Sequence, residues 1–95
     1  MEQPHKDQVV VITGGAGGIG SGMAKAFAAA GARVVIAGRD QAKLNNVARG
    51  IGNNGNTCIP LSCDVTEPEQ VEKLVAATVA EFGRLDVFVN NAGGA

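Results

Sequence analysis

The sequence has no tryptophan and no tyrosine, and three phenylalanines complete its aromatic set. Without tyrosine the chain carries no phenol for acid–base work. Histidine occurs once, at His5 near the N-terminus, which argues against a histidine-built metal site. Cysteine occurs twice, as Cys58 and Cys63, with no Cys-x-x-Cys spacing. Residues five apart on a strand point to opposite faces, so two reduced, mostly buried thiols are expected rather than a disulfide. Charge of one sign is also missing. Eight basic and nine acidic residues leave a net charge of −1, which gives no polycationic field for nucleic acid or anionic lipid. Long apolar runs are absent too. Val9 to Ile12 is too short for a signal-peptide core. The stretch from Gln8 to Ala24 is uncharged, but it is interrupted by glycines and falls short of the roughly 20 apolar residues of a membrane span. These absences predict a soluble, cytoplasmic protein without nucleic-acid or membrane partners.

What is present is apolar residue and glycine. Hydrophobic residues make up 45% and charged residues 18% of the 95-residue chain, a balance that excludes intrinsic disorder. There are fourteen glycines, without the three-residue period of collagen. Val9-Val10-Val11-Ile12 reads as a strand buried on both faces. Ile19, Met23, Phe27 and Ala30 recur at helical spacing, and Gly31 ends that helix. Val34 to Ala37 is a second buried strand. Asp40 can cap a second helix with the inner stripe Leu44, Val47, Ala48 and Ile51. Thr57 to Cys63 is a third strand interrupted by Pro60, which cannot donate to a ladder and so predicts a sheet edge. Thr66-Glu67-Pro68-Glu69 fits a capping box. The third helix then presents Val71, Leu74, Val75, Thr78, Val79 and Phe82, and Gly83 stops it. Leu85 to Val89 is a fourth strand.

Strand and helix alternate throughout, which predicts an α/β fold with a parallel sheet. The expected architecture is a partial Rossmann-type doubly wound sheet, four strands in the order 3-2-1-4 with three helices. That order puts the third strand at an edge, in agreement with Pro60. The first two helices should cover one face and the third the other.

Gly14-Gly15-Ala16-Gly17-Gly18-Ile19-Gly20 joins the first strand to the first helix. Between a buried strand and a helix, the Gly-x-G-x-x-Gly spacing of Gly15, Gly17 and Gly20 points to a pyrophosphate cradle. Backbone N–H groups must approach the phosphates closely, and the helix N-terminus adds free donors and partial positive charge. No Gly-Lys-Ser/Thr follows, which excludes a P-loop. At the end of the second strand, Ala37-Gly38-Arg39-Asp40, no acid stands at Gly38 to hold a ribose 2′-hydroxyl. A guanidinium at Arg39 suits a 2′-phosphate, so NADP is preferred over NAD.

Three motifs in order resemble the short-chain dehydrogenase/reductase family. Thr13 to Gly20 is similar to its glycine turn, Cys63-Asp64-Val65-Thr66 to its Asp-Val element, and Asn90-Asn91-Ala92-Gly93 to its Asn-Asn-Ala-Gly. The resemblance implies that Gly14 to Gly20 surround the pyrophosphate and nearby ribose and that Arg39 holds the 2′-phosphate. It further implies that Asp64 accepts from the adenine amino group with Val65 lining the same pocket, and that Asn91, Ala92 and Gly93 lie along the adenosine ribose. Asn90 would tie the central strands together through Thr13. The family's serine, tyrosine and lysine all follow the Asn-Asn-Ala-Gly element, so no catalytic residue is expected within residues 1–95. The expectation is therefore a partial dinucleotide-binding domain, the cofactor-binding part of an oxidoreductase whose catalytic half lies outside this sequence. A complete, non-catalytic nucleotide-binding or interaction module is the alternative. The fourth strand would then be an apolar edge inviting self-association or a completing partner.

Overall fold

The computed structural model describes residues 5–91. Seven elements alternate along the chain: β1 (Val9–Thr13), α1 (Gly18–Ala29), β2 (Arg33–Gly38), α2 (Gln41–Asn53), β3 (Cys58–Ser62), α3 (Pro68–Phe82) and β4 (Val87–Asn90). The four strands form one sheet in the order β3-β2-β1-β4, and every pairing is parallel. Val11 stands opposite Val35 on one side and Phe88 on the other, and Val35 stands opposite Ile59. The doubly wound order expected from the sequence is the order observed, with the Pro60 strand at the edge.

Alternation along the strands divides the core in two. Val10, Ile12, Val34 and Ile36 face α1 and α2, where they meet Ala24, Ala28, Leu44, Ala48 and Ile51. Val11, Val35 and Ala37 face the other way and meet Cys63 and Leu74 of the α3 side. All five residues of β1 are buried, as a central strand covered on both faces should be. Cys58 packs against the first cluster and Cys63 lies within the second, and both thiols are free.

α1 differs from the expected stripe. Its buried residues are Gly20, Ala24 and Ala28, with Met23 and Phe27 half-buried beside them, and Ile19 is 75% exposed. Small residues on the inner face let the helix axis approach the sheet, and the larger side chains flank that contact. α2 begins as expected, with the Asp40 carboxylate accepting from the Lys43 N–H at 3.2 Å. α3 does not. Its N-cap is Glu67, without a side-chain cap bond. The Thr66 hydroxyl donates instead to Asp64 at 2.6 Å, so the expected capping box does not form. Gly83 ends α3 in the left-handed conformation, at φ 79°. Val79, expected on the inner face, is 42% exposed. No helix among the described residues is long and apolar enough to cross a membrane.

Candidate cofactor-binding site

Because every strand is parallel, the C-terminal ends of all four share one rim. The glycine turn after β1, Arg39 after β2, Asp64 after β3 and Asn91 after β4 are all on it.

The turn is shaped by contacts of its own main chain. Gly14 has φ 69°, a left-handed conformation costly for other residues. The N–H groups of Gly14 and Gly15 both donate to the Ala37 carbonyl, at 2.8 and 3.2 Å, which pins the turn to the end of β2. A Cβ on Gly15 would lie 2.4 Å from Ile36 Cβ, and one on Gly20 would lie 2.1 Å from the Gly14 carbonyl oxygen. These two glycines are demanded by packing. Gly17 and Gly18 are not: a Cβ on Gly17 would be in ordinary contact, and one on Gly18 would meet nothing within 4 Å. Both are exposed.

The donors divide in the same way. Gly14, Gly15 and Gly17 donate to protein carbonyls, the last to Gly14 at 3.1 Å. The resemblance has Gly14 to Gly20 surround the pyrophosphate and nearby ribose, and three of their amides already bond within the protein. Gly18, Ile19 and Gly20 are the first three residues of α1, whose cap residue Gly17 has no side chain. Their N–H groups have no carbonyl one turn earlier to reach, and no acceptor for them is found among the described residues. Gly18 and Ile19 are exposed, at a surface that glycine leaves clear, whereas Gly20 is buried. Ile19, the first residue of the apolar stripe read from the sequence, thus stands exposed at the helix start.

Thr13 locks β1 to β4. Its buried hydroxyl donates to Asn90 Oδ1 at 3.1 Å and toward the Val89 carbonyl at 3.3 Å, and accepts from the Asn91 N–H at 3.0 Å. The link between Thr13 and Asn90 is the one the resemblance implied. Half-buried Asn91 is held at the rim by its backbone. Ala92 and Gly93 lie outside the described residues.

Asp64 anchors its own loop. Its Oδ1 accepts from the Thr66 hydroxyl at 2.6 Å and the Thr66 N–H at 2.9 Å, and its own N–H donates to Gln70 Oε1 at 2.7 Å. The Arg39 Nη2 lies 3.6 Å from the same Oδ1. The two Thr66 bonds, reinforced by the Arg39 charge, hold the Asp64 carboxyl below its ordinary range, so it is ionised near neutral pH. Val65 is half-buried against the α3-side cluster. Burial pushes the Cys58 thiol up to about 11 and, with the Asp64 charge adding to it, raises Cys63, which disfavours both thiolates. Sequence reasoning named Arg39 and Asp64 separately and missed their pairing, because only the folded sheet brings these two loops together.

A parallel α/β sheet with a glycine turn and charged loops on its carboxyl rim is the architecture of the doubly wound class. Comparison narrows the class. The short chain dehydrogenase family model matches residues 8–95, and the chain belongs to that family. It is 46% identical over 93 residues to the L-fucose dehydrogenase of Bos taurus, covering 98% of this chain and 33% of that protein. The solved structure of a citronellol catabolism dehydrogenase from Pseudomonas aeruginosa superposes with a TM-score of 0.93 at 39% identity, covering 100% of this chain and 40% of that one. A metagenomic short-chain oxidoreductase, solved in complex with NADP, matches at 39% identity and a TM-score of 0.88, over 93% of this chain and 40% of that one. The chain spans about a third of the length of the curated relatives it matches.

Proposed function

We propose that this chain is the cofactor-binding part of a nicotinamide-dinucleotide-dependent oxidoreductase. The observation that carries the reading is the set of N–H groups at Gly18, Ile19 and Gly20 with no acceptor among the described residues, the first two on exposed residues, at a turn where packing demands neither Gly17 nor Gly18. Such donors at a helix start suit a diphosphate. Arg39 would hold a 2′-phosphate, Asp64 and Val65 would receive the adenine, and Asn91 would lie along the adenosine ribose. By resemblance Ala92 and Gly93 extend that ribose contact. NADP is the favoured cofactor and NAD the second, a preference in line with the NADP in the metagenomic relative. When bound, the nicotinamide supplies hydride transfer to or from a carbonyl or alcohol carbon. The residues here would position the nucleotide. The 95 residues contain no tyrosine, and we assign none of them a catalytic role.

The test is a calorimetric titration of NADPH and NADH into wild type and Gly18→Glu. A carboxylate at the first helical position favours the helix dipole, so the melting temperature should hold. It would also stand against an incoming diphosphate, and like charges brought together cost several kcal/mol, so affinity should fall at least about tenfold. Undiminished binding by a folded Gly18→Glu protein would overturn the assignment.

A further inference from the structure

The pairing of Arg39 with Asp64 joins two loops the nucleotide would touch at different points. Cys63 N–H donates to the Gly38 carbonyl at 2.8 Å and stitches the ends of β2 and β3 together. That bond brings the Arg39 Nη2 to 3.6 Å from Asp64 Oδ1. The same oxygen already accepts two shorter bonds from Thr66. Arg39 is thus held by charge at a distance too long for a hydrogen bond, and it remains 72% exposed while the Asp64 side chain is 30% exposed. Asp40, the other acid beside Arg39 in the chain, is turned into the α2 cap.

We propose that Asp64 sets how strongly Arg39 selects a 2′-phosphate. This rests on the reading that both residues face the adenosine end of the cofactor. The carboxylate leaves the guanidinium's donors uncommitted but offsets its charge. A dianionic phosphate arriving at Arg39 meets a nearly neutral pair and is repelled by the nearby carboxylate, well inside a Debye length. The ribose hydroxyl of NAD, uncharged, feels neither effect. Asp64 therefore narrows the gap between the two cofactors, and the chain is built for weak discrimination. Pre-organisation of Arg39 by Asp64 would act in the opposite sense. A contact without a hydrogen bond, on an exposed side chain, pre-organises little.

The experiment titrates 2′,5′-ADP and 5′-AMP, which differ only at the 2′ position and need no nicotinamide site, into the wild-type protein, Asp64→Asn, Arg39→Gln and the double variant. Asparagine keeps an oxygen for Thr66, and any lost adenine contact is shared by both ligands and cancels in their ratio. The preference for 2′,5′-ADP should rise about two- to fivefold in Asp64→Asn at low ionic strength, the scale of one exposed charge interaction. It should shrink to under about twofold in concentrated salt, and it should vanish in the Arg39→Gln background. Asp64→Ser, uncharged but still carrying an acceptor oxygen, should shift the ratio in the same direction. An unchanged ratio in a folded Asp64→Asn protein that binds both ligands overturns the proposal and leaves the cofactor reading standing. Failure of the wild-type protein to bind either ligand overturns both.

Discussion

Neighbouring glycines in this chain do opposite jobs. Gly20 carries no side chain because a Cβ would collide with the Gly14 carbonyl, whereas Gly22 is exposed on α1 with nothing within 4 Å. Gly20→Ala should therefore destabilise by about 2 kcal/mol or more through overpacking. Gly22→Ala should stabilise by about 0.5–1 kcal/mol through helix propensity and a less flexible unfolded chain. Urea denaturation of the two variants checks both signs. Thr13 carries more than its size suggests. Thr13→Val keeps the volume but leaves the Asn91 N–H and the Asn90 Oδ1 without their hydroxyl partner, which should cost about 1–3 kcal/mol in the same assay. A third residue-scale prediction concerns acid. The Asp86 carboxylate accepts two bonds from Arg84 and one from the Val9 N–H at the start of β1, and these hold its pKa below the ordinary value. A carboxyl with a depressed folded pKa stabilises above its unfolded value of about 3.9 and loses that contribution as pH falls toward the folded value. The slope of stability against pH below about pH 4 should be shallower in Asp86→Asn than in wild type.

At the scale of elements, the two helix starts separate by the partner their side chains chose. Asp40 caps α2, and Asp40→Ala should cost about 1 kcal/mol. Thr66 and Glu69 have capping-box spacing but do not cap α3, so Glu69→Ala should cost no more than about 0.5 kcal/mol, the loss of a favourable first-turn charge. A loss near that of Asp40→Ala would restore the box. The sequence could not reveal this choice: the Thr66 hydroxyl could accept from the Glu69 N–H or donate to Asp64, and its spacing was compatible with both. The inner face of α1 was hidden for a different reason. Hydropathy weights Ile19 and Met23 above Gly20, Ala24 and Ala28, yet close approach to a sheet selects the small residues. By contrast, strand positions, strand order and the edge role of β3 were readable, because β-branched runs, alternation with helices and Pro60 all pointed the same way. The candidate site was readable as a set of motifs, and of its partners the link between Thr13 and Asn90 alone was expected. That Gly14 and Gly15 spend their amides on Ala37, and that Arg39 meets Asp64, follows from pairing β1 with β2 and β2 with β3.

At the scale of the whole molecule, the two outer strands of the sheet among the described residues are β3 and β4. Among the described residues β4 has β1 for a neighbour and nothing beyond it. Phe88, on the α3 side of that strand, is 39% exposed. An apolar parallel edge of this kind templates pairing with another strand. The 95-residue chain on its own should therefore self-associate at micromolar concentration, and Phe88→Lys should shift it toward monomer in sedimentation velocity. A wild-type chain sedimenting as one sharp monomer would refute this. The parallel arrangement has one more effect. Arg39, Asp64 and the orphan amides sit where the strands finish, while Asp7, Arg33, Arg84 and Asp86 form their ion pairs near where the strands begin. The Asp86 contribution to acid tolerance and the proposed nucleotide contacts thus lie at opposite poles of the sheet, and Asp86 can be substituted without touching the residues proposed to meet the nucleotide.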